Sequence, residues 1–177
     1  MGPRHLKGFR YGALVGGIAV LVLAPIVLVS KWTLFVMLAI VAVFFPWSVV
    51  VFHNVAAGTR YQSWRSSSEL MFLGVSNKHR RLFYLLVVFC VVASVFGHTL
   101  KWPVVWAAMF QNGILAGPAF AIFLFGAASI YQTSVWLVEH NVVKRCSDNH
   151  DFSLFEQSCH NCSASKKLEL VINDEKT

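Results

Sequence analysis

The chain has 177 residues, of which 56% are hydrophobic and only 13% are charged, and its mean hydropathy is +0.60. A soluble domain carries about 25% charged residues, so this composition excludes an ordinary soluble protein. Apolar runs cover most of residues 11–138, and none of them contains Asp or Glu. These runs therefore lack the carboxylates with which many membrane pumps transfer protons.

Four segments are long enough to cross a membrane as helices, because a span needs about 20 apolar residues. Continuous runs such as LLVVFCVVASVF lack the alternating polarity of membrane β-barrel strands. We predict an all-α, polytopic membrane domain over residues 1–138, in which four transmembrane helices form two antiparallel hairpins. The expected spans are about 12–29, 33–52, 82–100 and 114–137.

Two of the apolar segments have more than one interpretation. The first run could be a cleaved signal peptide. It is interpreted as a retained span, because no small-x-small cleavage site follows it. Residues 103–112 precede the fourth span. They are interpreted as an outer interfacial or re-entrant piece, with one long tilted helix as the alternative.

The Lys and Arg residues are distributed unevenly between the connections. Of the 15, only Lys31 and Lys101 lie in the first and third connections, and the other 13 lie before the first span, in 57–81 or after the fourth span. This bias predicts that both termini and residues 57–81 face the cytoplasm, in a plasma or inner membrane. The net charge of +7 then indicates topology and contact with anionic lipids rather than nucleic-acid binding.

Residues 57–81 are predicted to be a basic cytoplasmic loop with a short helix on the membrane surface. Ser66 and Glu69 have the spacing of a capping box, Gly74 can end the following turn, and Ser76 or Asn77 can cap the third span. A plain solvated loop is the alternative. The residues expected to contact lipid or a partner are Arg60, Arg65, Lys78, Arg80 and Arg81.

The cytoplasmic tail, residues 139–177, is too short for a core of its own, and disorder is the favoured expectation. Residues 167–173 are strand-like in composition and could instead add to the sheet of a partner. Thiolate and imidazole are the ligands that zinc prefers, so the tail also contains a candidate zinc site. The candidate ligands are Cys146, His150, Cys159 and Cys162.

Two alternatives compete with zinc for these cysteines. Cys146 follows two basic residues at the membrane edge, which is a position where palmitoylation occurs. With an inverted topology, the cysteines would be candidates for disulfides and Asn161 would be a glycosylation acceptor.

Polar residues and glycines within the spans are candidates for function or packing. A polar group in lipid is costly, so it marks an interface, a vestibule or a hydrogen bond between helices. Small-x3-small motifs let helices approach closely, within one chain or between copies. The polar candidates are His53, Asn54, His98, Gln111, Asn112 and Gln132, and the glycines are Gly12, Gly16, Gly113 and Gly117.

These features favour a non-enzymatic integral membrane subunit that anchors or assembles a larger complex. No GxSxG, HExxH or P-loop motif is present. The expected partners are membrane lipids, copies of the same chain and a cytoplasmic protein that docks on residues 57–81 and the tail. One alternative is an oligomeric channel or membrane-perturbing effector, for example in a bacterial defence system. Another is a metal-handling membrane protein that uses the tail cysteines.

Overall fold

The protein is mostly helical, as its composition predicts. The computed structural model describes residues 3–28, 30, 32–59, 61, 64–99, 115–146, 150–156 and 168–172. The helices are α1 (Pro3–Leu23), a 3-10 helix (Ala24–Leu28), α2 (Trp32–Ala56), α3 (Trp64–Met71), α4 (Asn77–Thr99) and α5 (Ala116–Glu139). The strands are β1 (Val142–Arg145), β2 (Asp151–Phe152) and β3 (Glu169–Ile172).

Within the described residues, three helices are long and apolar enough to cross a membrane. They are Arg4–Ile26, Trp32–Ala56 and Ala116–Glu139. This confirms the helical membrane class, whereas the count of four spans stays a prediction. The candidate for the fourth span is α4, which begins with basic residues and exposes apolar side chains from Leu82 onward.

Helix α5 is the centre of the bundle. Buried residues make up 67% of its apolar window, against 22% in each of the other two candidate spans. It packs against each of the other four α-helices that the structure describes and against β1. The run Gly126-Ala127-Ala128-Ser129 is fully packed, because small side chains let neighbouring backbones approach on several sides.

The other long helices keep apolar faces on the outside of the bundle. Val15, Ile18 and Val22 are more than half exposed along α1, and Leu85 and Val88 are more than half exposed along α4. Such faces suit contact with lipid chains. The α1–α2 and α4–α5 contacts of the predicted hairpins are both present, but the most extensive interface joins α1 to α5.

Helix α1 runs antiparallel to α5, and it is longer than the predicted first span. Lys7 forms an ion pair with Glu139 at one end of the bundle, and Gly117 packs against Ala24 at the other. The helix begins at Pro3 because Leu6 packs into the core with Tyr131, which gives this polar segment tertiary support. It ends before Pro25, whose ring nitrogen cannot donate to the helical ladder.

The described part of the tail contains a small antiparallel sheet, which corrects the purely α-helical class and, for these residues, the expected disorder. The strand order is β2-β1-β3, with Val143 opposite Val171. Leu168 also bridges to Thr59, after the end of α2. The tail needs no core of its own, because its Val142 and Leu154 share a buried cluster with residues of the helices.

The segment between α2 and α4 contains the expected short helix, although its start was predicted wrongly. Helix α3 begins at Trp64, so Ser66 and Glu69 lie inside it and do not form a capping box at its start. Gly74 ends the following turn at φ +71°, as expected. Ser76 caps α4, and its Oγ accepts a hydrogen bond from the amide of His79 at 3.4 Å.

The first residues of α1, helix α3 and the tail sheet all lie at the same end of the bundle. We call the non-spanning part of this end the cap. The cap consists of residues 57–59, 64–76, 142–146, 150–156 and 168–172.

Candidate functional site

The cap is attached to α2 by a buried lysine. The side chain of Lys144 is 0% exposed, and its ammonium donates hydrogen bonds to the carbonyl oxygens of Asn54, Ala57 and Glu156. The last carbonyls of a helix have no partner within the helix, and a cation there is also favoured by the helix dipole. An ammonium has three protons, so all of its donors are used.

The charge of Lys144 is retained at neutral pH despite its burial. Removal from water lowers the pKa of Lys144 to about 8, and the nearby carboxylate of Glu156 opposes this shift. A pKa near 8 leaves most of the side chain protonated at pH 7. This lysine therefore acts as a cationic link between the tail and the end of α2.

The turn after α3 is attached to α5 by two polar side chains. The hydroxyl of Thr133 lies 3.0 Å from the carbonyl oxygen of Met71 and 2.9 Å from that of Leu73, and its single proton donates to either. The amide nitrogen of Gln132 donates to the carbonyl oxygen of Gly74 at 3.1 Å. The cap is thus hydrogen-bonded to α2 through Lys144 and to α5 through Thr133 and Gln132. It therefore packs on the helical bundle as a continuous part of the fold.

A polar pocket of about 290 Å³ lies between α1, α5, the start of α4 and the turn before it. The Nε2 atom of His79 lies 2.9 Å from the hydroxyl of Ser129 and 3.0 Å from the carbonyl oxygen of Phe125. A carbonyl only accepts hydrogen bonds, so Nε2 carries the proton in this arrangement. The lining residues are Arg10, Leu14, Gly74, Val75, Ser76, His79, Ala128 and Gln132.

Two polar groups of this pocket lack partners in the part of the chain that the structure describes. The Oε1 atom of Gln132 is buried and accepts no hydrogen bond. The guanidinium of Arg10 lies 5.0 Å from the ring centre of Tyr11, and it has neither an ion pair nor a hydrogen bond among the described interactions. The pocket therefore presents a cation and an acceptor whose hydrogen-bonding capacity is unused.

A second cavity of about 550 Å³ lies between α2, α3, α4 and α5. Most of its lining is aromatic or aliphatic, which suits an apolar occupant. The lining residues are Phe52, Ser67, Ser68, Met71, Phe72, Phe83, Tyr84 and Ile130.

The predicted glycine contacts lie within one chain where the structure describes them. A side chain at Gly12 would meet Phe44 and one at Gly16 would meet Ile40, both on α2. A side chain at Gly117 would meet Ala24 after α1. These glycines therefore serve packing inside the chain. Gly113 lies outside the described residues.

The predicted polar candidates are not gathered at one place. Gln132 lines the polar pocket, Asn54 contributes its carbonyl oxygen to Lys144, and His53 is exposed. Gln111, Asn112 and the side chain of His98 lie outside the described residues. Ser129 and Gln132 form hydrogen bonds inside one chain, and the alternative of an oligomeric channel stays a prediction.

Some of the basic residues predicted to contact lipid or a partner are exposed, and one of them forms a hydrogen bond inside the chain. Lys78 and Arg81 are exposed, whereas Arg80 donates to the carbonyl oxygen of Phe72 at 3.0 Å and lies over its ring. Arg60 and the side chain of Arg65 lie outside the described residues.

Only part of the predicted zinc site lies within the residues that the structure describes. Cys146 is buried and disulfide-bonded to a partner outside the described residues, and a sulfur in a disulfide is not a thiolate ligand. Among the described residues, no three His, Cys, Asp or Glu side chains lie close enough together to hold a metal ion. Cys159 and Cys162 lie outside that part, so zinc binding stays a prediction.

Sequence reasoning missed the roles of Arg10, His79 and Lys144. It treated Arg10 and Lys144 as topogenic charges and gave His79 no separate role, because no local spacing joins residues on α1, α4 and the tail. One weak signal was available for Lys144. Side chains two residues apart in a strand lie on the same face, and Lys144 follows Val142 at that spacing, so both are buried in β1.

No protein family model, curated protein or solved structure matches this chain.

Proposed function

We propose that the protein is a non-enzymatic integral membrane subunit whose folded cap docks a cytoplasmic partner and so anchors or assembles a larger complex. The observation that carries this proposal is the link from Lys144 to the end of α2. A pre-formed cap binds a partner without the entropy cost of ordering a flexible tail. Copies of the same chain are the second partner that the proposal includes.

Four membrane spans are part of this proposal. The exposed apolar side chains of α4, which include Leu85, Val88 and Val95, continue the lipid-facing surface of the bundle. Lys7 pairs with Glu139 at the cap end, so the start of α1 and the end of α5 lie on the same side. An even number of spans is what such an arrangement requires.

Two observations bear on the orientation of the cap, and they point in opposite directions. The cap side carries 13 of the 15 Lys and Arg residues, which favours the cytoplasm. The disulfide of Cys146 favours an oxidising compartment. We adopt the cytoplasmic orientation because the charge bias extends over three separate segments. A disulfide in the cytoplasm would be of the transient kind.

The orientation is tested with reporter fusions at the C-terminus. Green fluorescent protein folds in the cytoplasm, and alkaline phosphatase needs an oxidising compartment to form its disulfides. A fluorescent fusion without phosphatase activity supports the cytoplasmic cap. Phosphatase activity without fluorescence would contradict it and would make the Cys146 disulfide a structural bond of an exported domain.

Partner docking is tested by gentle purification of the full chain followed by native mass spectrometry. We expect the wild-type chain to retain a stoichiometric partner protein or further copies of itself. Lys144→Met should release that partner because it detaches the cap from α2. Arg145→Met is the matched control, since it removes the neighbouring positive charge from a partly exposed side chain that forms a salt bridge with Asp151 inside the tail. A lone wild-type monomer, or equal retention by Lys144→Met, would contradict the proposal.

A further inference from the structure

The polar pocket between α1, α4 and α5 has one cationic side chain in its lining, the partly exposed Arg10. The carboxylate of Glu139, which attracts the charge of Arg10, lies outside this lining and is paired with Lys7. Arg10 contributes a guanidinium and His79 an imidazole, and no carboxylate is among the described residues that line the pocket. A guanidinium has five donors, and those of Arg10 form no hydrogen bond among the described interactions. A ligand with several acceptor oxygens would satisfy it.

The other polar groups of the pocket narrow the chemistry of that ligand. The Oγ atom of Ser76 accepts the amide of His79, so its hydroxyl proton remains to be donated. The buried Oε1 atom of Gln132 accepts no hydrogen bond, so it needs a donor from the ligand. The amide nitrogen of the same side chain already donates to the carbonyl oxygen of Gly74. A phosphate group with a hydroxyl, either its own or one on an adjoining headgroup, offers both the acceptors and the donor.

The position of the pocket along the helices favours a lipid as the source of that phosphate. Arg10 directly precedes the exposed apolar face of α1, which begins at Tyr11. His79 lies one turn before the exposed apolar face of α4, which begins at Leu82. Both helices therefore change from polar to apolar beside the pocket, which is the level at which lipid headgroups lie.

The size of the pocket agrees with a headgroup and excludes a whole lipid. Its volume of about 290 Å³ is at the lower end of ligand pockets, which hold roughly 300–1,000 Å³. The acyl chains of a bound lipid would lie outside, along the exposed apolar faces of α1 and α4.

We propose that this pocket binds the phosphate of a phospholipid headgroup, with Arg10 as the principal contact and Ser76, His79 and Gln132 as hydrogen-bonding partners. The site is independent of partner docking, because none of these four side chains contributes to the link between Lys144 and α2. Soluble phosphate has the same chemistry and is the alternative source that the experiment must separate.

The experiment measures binding to the full chain in a non-ionic detergent. Three probes are titrated: short-chain phosphatidic acid, phosphatidylcholine of the same chain length and inorganic phosphate. The readouts are the shift in melting temperature and the bound adduct in native mass spectrometry. We expect saturable binding of phosphatidic acid, weaker binding of phosphatidylcholine and no comparable binding of inorganic phosphate.

Two variants with the same loss of charge separate a site from general attraction to a basic surface. Arg10→Gln should weaken phosphatidic acid binding about tenfold or more, as expected when a hydrogen bond to a charged group is lost. Arg81→Gln removes an exposed charge on α4 outside the pocket and should weaken it by no more than about fivefold. His79→Gln is the second pocket variant, to be used if Arg10→Gln does not fold.

Three results would overturn the proposal in different ways. Equal losses in Arg10→Gln and Arg81→Gln would show general surface attraction and no site. Absence of saturable binding of every probe would remove the site altogether. Inorganic phosphate that binds as tightly as phosphatidic acid would overturn the lipid assignment and leave a site for soluble phosphate.

Discussion

The two ends of the helical bundle are held together by different interactions. At the cap end, polar side chains join one element to another, as Lys144 does with α2 and Thr133 with the turn after α3. At the far end, the described contacts are apolar and very close, as between Gly117 and Ala24. Every side-chain hydrogen bond described between two elements lies at the cap end or near the middle of α5.

The difference follows from the solvent that each end would meet. Apolar surface gains little by leaving lipid chains for a helix interface, so helices there depend on close contact between small residues. At the cap end, water competes for the backbone carbonyls, and buried ones need donors from the protein. One chain therefore uses close packing at one end and buried hydrogen bonds at the other.

The largest effect is expected from removing the buried cation of the cap. Lys144→Met leaves three carbonyl oxygens without their donor, and each buried unsatisfied group costs about 1–3 kcal/mol. We expect the cap to be destabilised by roughly 3 kcal/mol or more. The measurement is the rate of cleavage within the tail by proteinase K. A cleavage rate equal to that of Arg145→Met would show that the hydrogen bonds of Lys144 do not hold the cap in place.

A methyl group added at the far end should have the next largest effect. The Cβ atom of Gly117→Ala would overlap the Cβ atom of Ala24, and overpacking of this kind costs about 1–3 kcal/mol. Gly8→Ala is the control, because a Cβ atom there has no neighbour within 4 Å. It should be neutral or stabilise α1 by about 0.5–1 kcal/mol. Unfolding titrations in SDS compare the two, and equal stabilities would show that close packing does not hold the far end.

The smallest effect is expected where a single hydroxyl is lost near the cap. Thr133→Val keeps the shape of the side chain but leaves the carbonyl oxygens of Met71 and Leu73 without this donor. Polar contacts of this type in membrane proteins contribute about 0.6 kcal/mol on average. The same SDS titration should show a loss of about that size. Gly74 of this turn lies close against the ring of Trp136, and no loss would mean that this packing, and not the hydroxyl, holds the turn.

The sequence predicted the membrane class because apolar length is a local property. It placed helices near residues 12–29, 33–52 and 114–137, and these lie within or close to α1, α2 and α5. The helix ends were less predictable, since the extension of α1 to Pro3 depends on the packing of Leu6 against distant residues. The short helix after α2 was found, but its start was not.

The cap and the pocket were less predictable because they depend on contacts between distant parts of the chain. The order of the tail depends on Val142 and Leu154, which pack against α2, α3 and α5. The pocket unites Arg10, His79 and Gln132, which lie far apart in the sequence and share no motif. Of these three, only Gln132 was a candidate beforehand, on the ground that a polar residue within a span is costly.

The most direct test of the account is hydrogen exchange of the wild-type chain in lipid nanodiscs. The central claim is that the cap is a folded part of the bundle and not a flexible tail. We expect the amides of Val142–Arg145 and Glu169–Ile172 to exchange at least about a hundredfold more slowly than in an unstructured peptide, an opening free energy of about 3 kcal/mol. Exchange of both segments at the unstructured rate would contradict the account.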